Sequence, residues 1–229
     1  PDQYDIRASG PGFKTLEARR IPVYADQTAQ VDVRFQVGPA EETVTVSAEE
    51  LPLLKTDRAD VSTTFTERQV KTLPLYDRNF TLLALLTPGT TRAGFQHSSA
   101  ENPQGSSQIM VNGQHFGGTS YQLDGTDNRD PILGIIVINP TLESIAEAKF
   151  TSQNYDAEFG QALGGVVTAQ TKSGTNDWHG SIFEFRRTGW GQSRNPFLDP
   201  PDRKLPPIKW NQFGVSLGGP LIKNRLFVF

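Results

Sequence analysis

Hydrophobic and polar residues alternate in several short segments of the chain, which is the pattern of half-buried strands. The alternation is cleanest in residues 30–37, where three valines and a phenylalanine occupy one face. Residues 4–8 repeat it more briefly, and the glycines and proline of residues 10–12 predict a turn after them. Only three or four strands fit into residues 1–40, whereas a β-sandwich has about seven. These residues therefore predict a partial β-sandwich.

Helical and strand patterns are mixed in residues 58–175, and together they predict a compact α+β domain. Thr66 and Gln69 stand at capping-box spacing, so a short helix is expected over residues 66–73. The remaining predicted elements are helices over residues 79–86 and 140–148, a long loop over residues 92–107, and strands over residues 108–112, 119–123, 149–153 and 165–171. We expect the first two of these strands to pair with each other.

Beyond residue 176 the predicted strands become more aromatic. In residues 181–187 and 210–217, large apolar side chains occupy one face and polar residues the other. A proline-rich loop over residues 195–207 separates the two, residues 218–220 predict a tight turn, and residues 221–229 predict a third strand. The apolar positions of the first two strands are Phe183, Phe185, Phe213, Val215 and Leu217. This pattern is typical of a transmembrane β-barrel, although a water-soluble sandwich shows the same alternation.

Composition excludes several classes of function. With 36% hydrophobic and 21% charged residues, the chain falls in the range of folded globular proteins. Its formal net charge of -3 gives no electrostatic reason to expect a nucleic-acid partner. The chain has no cysteine, which excludes disulfides and thiolate metal sites. It also has no run of about eighteen apolar residues that would make a membrane helix.

Four sequence blocks carry a family likeness. They are LPLYDRNFTLLALLTPGT (73–90), VNGQHFGGTSYQLDGTDNRDP (111–131), NYDAEFGQALGGVVTAQTKSGTNDWHGSIFEF (154–185) and NQFGVSLGGPLIKNRLFVF (211–229). In this order they resemble the TonB-dependent outer-membrane transporters, and among these the Oar-like receptors. Residues 4–38 are similar to the C-terminal half of the carboxypeptidase-regulatory-like domain that precedes the transporter in that subgroup.

The resemblance implies a mixed fold in four parts. They are the C-terminal half of a regulatory-like β-sandwich (1–40), a linker with a partner-binding segment (41–57), an α+β plug domain (58–175) and the first strands of an antiparallel transmembrane β-barrel (176–229). Barrels of outer-membrane transporters have about 22 strands, so we expect the chain to be part of a longer polypeptide. The implied location is the cell outer membrane, with the N-terminal extension in the periplasm.

The segment of residues 42–48 resembles the TonB box, the peptide by which a TonB-like periplasmic energy-coupling protein grips such a transporter. Its residues are Glu42, Thr43, Val44, Thr45, Val46, Ser47 and Ala48. A short β-prone segment outside a folded core can add itself as a strand to the sheet edge of a partner. The alternative interpretation is a terminal strand or a plain linker.

The resemblance also implies that two polar loops of the plug, residues 92–107 and 114–120, face the ligand. The side chains best able to make specific contacts there are His97, His115, Tyr121 and Gln122. Loops this rich in glycine, serine and asparagine are more often flexible connections, and both interpretations remain open. The implied ligand is a small molecule or a peptide.

No motif for catalysis or for cofactor binding is recognisable. Residues 124–130 gather oxygen-bearing side chains, but their order does not fit an EF-hand loop and is typical of tight turns. The sequence has neither a nucleophile elbow nor a P-loop, and its glycines near residue 164 lack the dinucleotide-binding spacing. We therefore predict no enzymatic activity, no catalytic residue, no metal site and no cofactor.

The leading hypothesis is a segment of a TonB-dependent receptor that gates energy-coupled uptake of a ligand through a β-barrel embedded in outer-membrane lipid. The alternative hypothesis is a structural or adhesive module. Its support is that both ends of the chain predict incomplete sheets, whose unpaired edges can add strands from other chains.

Overall fold

The structure, a computed structural model, describes residues 2–23, 29, 31, 33–39, 43–47, 59–93, 107–191, 193, 197, 207 and 209–229. Contacts divide the chain into two units, Pro1–Thr171 and Lys172–Phe229, and each is described by itself. Within the ranges given above, no helix combines the length and the apolar character needed to cross a membrane.

The first unit begins with a small sheet of three strands in the order β1-β2-β3. They are β1 (Asp2–Ala8), β2 (Thr15–Val23) and β3 (Thr43–Ser47). β1 is antiparallel to β2, and β3 is parallel to β2. The buried apolar side chains of this sheet are Leu16, Ala18 and Ile21, and the partly buried Val31 and Val33 pack against them. This core is small, so the sheet depends on few apolar contacts.

The predicted strand over residues 30–37 is wrong where the structure describes it. Residues 31 and 33–36 have no strand conformation, and Val37 forms only an isolated bridge with Phe13. Both edges of β2 are already occupied, by β1 and by β3. Among the described residues of this segment, the backbone bond lies near its end, where Lys14 N donates to Gln36 O at 2.8 Å. The alternation in the sequence reflected the inward packing of two valines and not a strand.

Among the residues that the structure describes, the rest of the first unit contains seven strands. They are β4 (Val61–Thr66), β5 (Thr90–Arg92), β6 (Ile109–Val111), β7 (Thr119–Leu123), β8 (Thr126–Asp127), β9 (Ile145–Gln153) and β10 (Gly165–Thr171). Five of them form one sheet in the order β4-β9-β10-β7-β8, and β5 pairs with β6. β10 is parallel to β7 and antiparallel to β9. The sheet is thus mixed, and its middle strands depend on pairings between distant parts of the sequence.

Short helices cover the five-stranded sheet. Helix α1 (Glu67–Thr72) begins at the predicted capping box, where Thr66 N donates to Gln69 Oε1 at 2.9 Å. The helix predicted over residues 79–86 forms as a 3₁₀ helix whose first turn is capped by Asn79, which accepts from Thr81 N at 3.0 Å. The 3₁₀ helices are Tyr76–Arg78, Phe80–Leu86 and Phe116–Gly118, with one more, Gly189–Gly191, in the second unit.

Three predictions of local structure are wrong, each because distant pairing prevailed over local pattern. The helix predicted over residues 140–148 is a turn closed by Ser144 N and Thr141 O, followed directly by β9. β9 lies between β4 and β10 and is buried on both faces, and its pairing with both neighbours overrides the helix propensity of its alanines and glutamate. β6 and β7 exist but pair with β5 and β10 instead of with each other. The predicted turn at residues 218–220 is part of a strand.

The core of the first unit lies between the helices and the five-stranded sheet. Phe65 and Phe150 meet edge to face with ring centroids 5.6 Å apart, and Val70, Leu83 and Ile145 are fully buried. Aromatic pairs in this geometry contribute more than their buried area alone.

A buried ion pair fixes the start of β4. Lys149 Nζ lies 3.7 Å from Asp60 Oδ2, and both side chains are almost completely buried. Ser62 Oγ also donates to Asp60 at 2.6 Å. A second buried pair joins Arg78 and Glu143. Loss of one partner of such a pair leaves an uncompensated charge in a medium of low dielectric constant.

The second unit is one antiparallel sheet in the order β11-β12-β13. Its strands are β11 (His179–Thr188), β12 (Lys209–Ile222) and β13 (Leu226–Val228). β12 contains 14 residues, and the hairpin turn to β13 lies at residues 223–225. Gly218, Gly219 and Pro220 extend β12 because β13 pairs alongside them.

We expect replacement of Asp60 by alanine to loosen the pairing of β4 with β9, because the buried Lys149 ammonium then loses the carboxylate of Asp60. The free energy of local opening should fall by about 3 kcal/mol. Removing both charges, in the double variant Asp60→Ala with Lys149→Met, should restore most of it. Native-state hydrogen exchange of the β9 amides measures this opening. An equal loss in the single and double variants would contradict the importance of the pair.

Candidate functional site

A pocket of about 290 Å³ lies at the surface of the first unit. It is formed by three loops: the loop that precedes β7, the turns of residues 129–134, and the loop that precedes β10. The residues that line it include Gln114, His115, Gly117, Arg129, Ile132 and Leu163. Polar and apolar groups therefore share one opening, which is the usual composition of a ligand-binding cleft.

The parallel pairing of β7 and β10 determines where this pocket lies. Thr119 and Gly165 are paired at the beginning of the two strands, and the lining residues Gly118 and Leu163 lie one and two residues before them. Thr171, after which the chain enters the second unit, is at the other end of β10. Seven residues of strand separate the two ends by about 20 Å. The pocket is thus at the end of the sheet opposite the exit of the chain.

Arg129 joins two of the loops around the pocket. Its guanidinium donates to Gly117 O at 2.7 Å, to Gln161 O at 3.1 Å and to Gln161 Oε1 at 2.8 Å. All three acceptors are uncharged oxygens, so these contacts hold the side chain in place without neutralising its charge. A fixed guanidinium of this kind can attract a negatively charged group in the opening.

The other side chains give the pocket an apolar rim beside one imidazole. Ile132 is 88% exposed, and Leu163 is also largely exposed. His115 lies outside the core, where its Nδ1 accepts from Gly117 N at 3.1 Å and so starts the 3₁₀ helix before β7. Exposed aliphatic side chains next to fixed polar groups can contact both parts of an amphipathic ligand.

Two glycines bring the loops of the pocket together. Gly134 has a φ of +65°, and a Cβ there would stand 2.5 Å from the Cα of Gly117. The turn that presents Gly134 is held by Asp130, whose Oδ1 accepts from Ile132 N at 2.8 Å and from Leu133 N at 2.7 Å. The close approach of the two backbones is possible only without a side chain at residue 134.

The structure brings one of the four predicted ligand-facing residues to the pocket. His115 lines it. Gln122 is half-buried near the end of β7, paired with Thr168 and Asp127. Tyr121 is only 3% exposed within the core, and this burial raises the pKa of its phenol. His97 lies outside the described residues. We therefore keep His115 in the candidate site and leave Tyr121 out of it.

The acidic segment of residues 124–130 has structural partners. Asp124 accepts from the backbone N of Thr171 at 2.7 Å and from its hydroxyl at 2.8 Å, which connects the end of β10 to the turn after β7. Asp127 accepts from Arg129 N at 3.2 Å. In the part of the chain that the structure describes, no three side chains of metal-binding type come together. The sequence had marked this segment only as a turn, and for that reason it missed Arg129 as a lining residue.

The predicted partner-binding segment forms strand β3, as far as the structure describes it. Its pairing with β2 runs in parallel from Thr15 opposite Thr43 to Arg19 opposite Ser47. β3 is the last strand of its sheet, and Thr45 is exposed. Glu42 and Ala48 lie outside the described residues. An extended strand at a sheet edge has the conformation that strand addition requires, and its role with a partner stays a prediction.

The register of β11 and β12 separates two faces in the second unit. Ile182 lies opposite Val215, whereas Phe183 lies opposite Gly214. Residues directly opposite each other share a face. We call the face formed by Ile182, Phe213, Val215 and Leu217 the apolar face, and its side chains are 85%, 78%, 71% and 59% exposed. Side chains this exposed do not belong to a small internal core.

The opposite face of this sheet, which we call the mixed face, carries both aromatic and polar side chains. Phe183 and Phe185 are 6.1 Å apart between ring centroids, and the Arg187 guanidinium lies 5.1 Å from the ring centroid of Trp210. The expectation that the apolar positions of both strands share one face is therefore wrong, because Phe183 and Phe185 of β11 lie on the face opposite to Phe213 of β12. Alternation in one strand does not determine which of its faces continues in the next strand.

Comparisons with known proteins agree with this arrangement. The family model of the outer membrane beta barrel domain matches residues 170–229, which include the whole second unit. The TonB-dependent transporter Oar of Myxococcus xanthus is 23% identical over 241 residues, an alignment that covers 100% of this chain and 22% of the relative. The likeness to TonB-dependent outer-membrane transporters is confirmed. The expected location in the cell outer membrane is also confirmed. The chain spans only about a fifth of that relative's length.

Solved structures extend the likeness to the fold. The siderophore receptor PirA from Acinetobacter baumannii matches with a TM-score of 0.50 and 23% identity, over 72% of this chain and 23% of that chain. A mutant of the ferric enterobactin receptor PfeA from Pseudomonas aeruginosa, in complex with enterobactin, matches with a TM-score of 0.50 and 19% identity, over 74% of this chain and 24% of that chain. The chain thus shares its fold with part of TonB-dependent receptors.

Substitution of Gly134 by alanine should damage the pocket far more than the same change at Gly113. Both glycines have positive φ, but a Cβ at residue 113 meets nothing within 4 Å. Gly113→Ala should lower the free energy of unfolding by about 1 kcal/mol, because alanine is strained in the left-handed backbone conformation. Gly134→Ala should lower the free energy of unfolding by about 2 kcal/mol more than Gly113→Ala does, because the backbones of the two loops must separate to admit the new Cβ. Hydrogen exchange at Val137 N, which donates to Asn128 O, reports the loosening. Equal effects of the two changes would refute the importance of the close approach.

Proposed function

We propose that this chain is the plug and the first barrel strands of a TonB-dependent outer-membrane receptor that takes up a ligand without chemical change. The observation that carries the proposal is the exposed apolar face of the second unit, directly after a five-stranded mixed domain with a pocket at its far end. In this proposal residues 1–40 are the regulatory-like extension, 41–57 the linker, 58–175 the plug and 176–229 the first strands of the barrel.

The apolar face fits the hydrocarbon of a bilayer better than it fits water. Four large apolar side chains, each more than half exposed, stand on two neighbouring strands. Each would favour burial by roughly 1.5–3 kcal/mol if it were fully removed from water. Strands of about 9–11 residues suffice to cross a bilayer with tilt, and β11 and β12 contain 10 and 14. Lipid is therefore the proposed neighbour of the apolar face.

Polar residues limit the apolar face at one end. On β11 the residues that follow Ile182 on this face are Glu184 and Arg186, and on β12 the same end carries Asn211. At the other end stands Trp178, next to Gly219. Charged residues beyond an apolar band, and tryptophan at its border, are the arrangement found where a barrel wall meets the lipid headgroups.

The pocket of the first unit is the proposed contact for a ligand. Its fixed guanidinium and its apolar rim suit a small molecule or peptide that combines a negative group with an apolar part. The solved relatives are named as receptors for siderophores and for ferric enterobactin. For this chain we propose only the broader class, because the pocket belongs to one part of a longer receptor.

The proposed partner is a TonB-like periplasmic protein that grips residues 42–48 by strand addition. Main-chain hydrogen bonds give such a contact its strength, so a short segment with few large side chains is sufficient. Energy from the inner membrane would reach the plug through this segment. No nucleotide site is then required on the chain, and a protein of net charge -3 gives no attraction for nucleic acid.

Arginine in place of Val215 should destabilise the receptor in membranes, whereas arginine in place of the neighbouring Ser216 should not. The two residues lie on opposite faces of β12. A lipid-facing arginine near the bilayer centre costs about 2–4 kcal/mol, and one facing the barrel interior costs much less. Unfolding of the complete receptor in lipid vesicles measures both. Equal tolerance at the two positions would exclude lipid as the neighbour of the apolar face.

Proline at both Val44 and Val46 should abolish binding of the periplasmic partner. Proline removes two main-chain donors from the segment, and strand addition depends on these donors. Thr45→Ala keeps every donor and should leave affinity within about twofold, because it changes only one exposed side chain. Titration of the purified receptor with the periplasmic domain of TonB gives the affinities. Undiminished binding by the proline variant would rule out this segment as the partner's contact.

A further inference from the structure

The segment that leads into β11 is fastened to the hairpin of β12 and β13. We call its residues 174–178 the strap. Asn176 Nδ2 donates to Asn224 Oδ1 at 2.8 Å, and Asn224 N donates back to Asn176 Oδ1 at 2.8 Å. Asn224 lies in the hairpin turn with a φ of 61°, a conformation that asparagine tolerates better than most residues. Two reciprocal hydrogen bonds therefore join the strap to the tip of the hairpin.

A glycine lets the strap lie directly against the backbone of the hairpin. Gly174 is buried, and a Cβ there would stand 2.6 Å from Gly219 O and still closer to Val228 O. Gly219 and Val228 are paired with each other in β12 and β13. The strap thus crosses the hairpin at this pair, and a side chain at residue 174 would push it away.

Aromatic contacts continue the attachment up to the first residue of β11. A Cβ at Gly219 would meet the indole ring of Trp178, so this ring lies over the backbone of β12. The imidazole of His179 stacks on the ring of Phe229 with centroids 6.4 Å apart, and its Nδ1 lies 3.0 Å from Asp177 O. Contact with the hairpin therefore extends along the whole strap.

The first unit has a fastening of its own at its last strand. The carboxylate of Asp124 accepts from both the backbone N and the hydroxyl of Thr171, the last residue of that unit. Along the chain, residues 172 and 173 separate this fastening from Gly174. A boundary between parts that move independently falls where few contacts cross it. The structure therefore places this boundary before the strap and not at the start of β11.

We propose that the strap is the fixed end of the first unit: residues 174–178 stay on the hairpin of β12 and β13 while the first unit opens up to residue 173. This inference rests on the proposed function, in which the sheet of the second unit is barrel wall and the first unit is the part that rearranges. The alternative is a hinge directly before β11, in which the strap leaves the hairpin together with the plug.

The experiment follows the order in which backbone amides lose protection from hydrogen exchange as urea is added to the complete receptor in lipid vesicles. Thr171 N reports the last strand of the first unit, and Asn224 N, which donates to Asn176, reports the strap. We expect Thr171 N to lose protection first, and Asn224 N to stay protected until the amides of β11 exchange. Loss at Asn224 N together with Thr171 N, while β11 stays protected, would overturn the fixed strap.

Two glycine variants test whether the strap acts as one piece. Gly174→Ala leaves both asparagines in place but pushes the strap off the hairpin, so exchange at Asn224 N should rise at least about tenfold. Gly160→Ala is the matched control, because a Cβ at residue 160 meets nothing within 4 Å, and it should change this rate by less than about twofold. An unchanged rate in Gly174→Ala would overturn the proposal, since the asparagine pair would then be an isolated surface contact.

A further variant covers the case in which Gly174→Ala prevents folding. Asn176→Ala removes both bonds to Asn224 without adding a contact. It should raise exchange at Arg225 N, which donates to Ile222 O in the hairpin turn, by about fivefold. No change at Arg225 N would also overturn the fixed strap.

Failure of the proposed function has a different signature in the same urea series. If the amides of both units lose protection in a single step, the proposed separation into plug and barrel wall fails, and the fixed strap with it. Early loss at Asn224 N with β11 still protected refutes only the strap and leaves the plug and the wall in place.

Discussion

The register between β11 and β12 is the constraint on which the interpretation of the second unit depends. It aligns Ile182 with Val215 and thereby collects four apolar side chains on one face. A shift by one residue would put Phe183 and Phe185 next to Phe213 and leave Ile182 among the polar groups. The hydrogen-bonded ladder over ten residue pairs makes such a shift costly, since every backbone group would need a new partner. The register of backbone pairing therefore determines which side chains form the apolar face.

The five-stranded sheet imposes a comparable order on the first unit. Because β7 and β10 are parallel, their beginnings meet at one end and carry the pocket, and the chain leaves from the other end. The carboxylate of Asp124, in the turn after β7, accepts hydrogen bonds from Thr171 and so holds the last residue of β10 at the end where the chain leaves the sheet. The buried pair of Asp60 and Lys149 fixes the place where the chain enters the sheet. The same sheet thus determines where the chain enters it, where the chain leaves it and where the pocket lies.

Local sequence predicted the elements that local interactions determine. The capping box at Thr66 and Gln69 gave α1, and the alternation in residues 181–187 and 210–217 gave the long strands. Sequence could not predict what distant pairing determines. β9 was mistaken for a helix in part because its first residues, with two alanines and a glutamate, have high helix propensity. The partners of β7 and the relation between the faces of β11 and β12 depend on register across loops.

The candidate site shows the same limit. His115 could be picked out because the family resemblance implies that its polar loop faces the ligand, and the structure places it in the pocket. Tyr121 looked equally suitable in the sequence, but alternation in β7 turns it into the core. Arg129 was missed because its neighbours have the composition of a turn, and only the meeting of three loops makes it a lining residue. A pocket made by loops from distant segments leaves no local pattern.

Backbone pairing at a sheet edge appears in this chain at two very different strengths. β11 and β12 are joined over ten consecutive pairs, and in the proposed membrane setting no water competes for their hydrogen bonds. β2 and β3 are joined over five pairs beside a small apolar core, and Thr45 of β3 is exposed to water. Loss of the first pairing would expose polar backbone to lipid, whereas loss of the second exposes it to a solvent that can replace each bond. The same interaction is therefore strong between β11 and β12 and weak between β2 and β3.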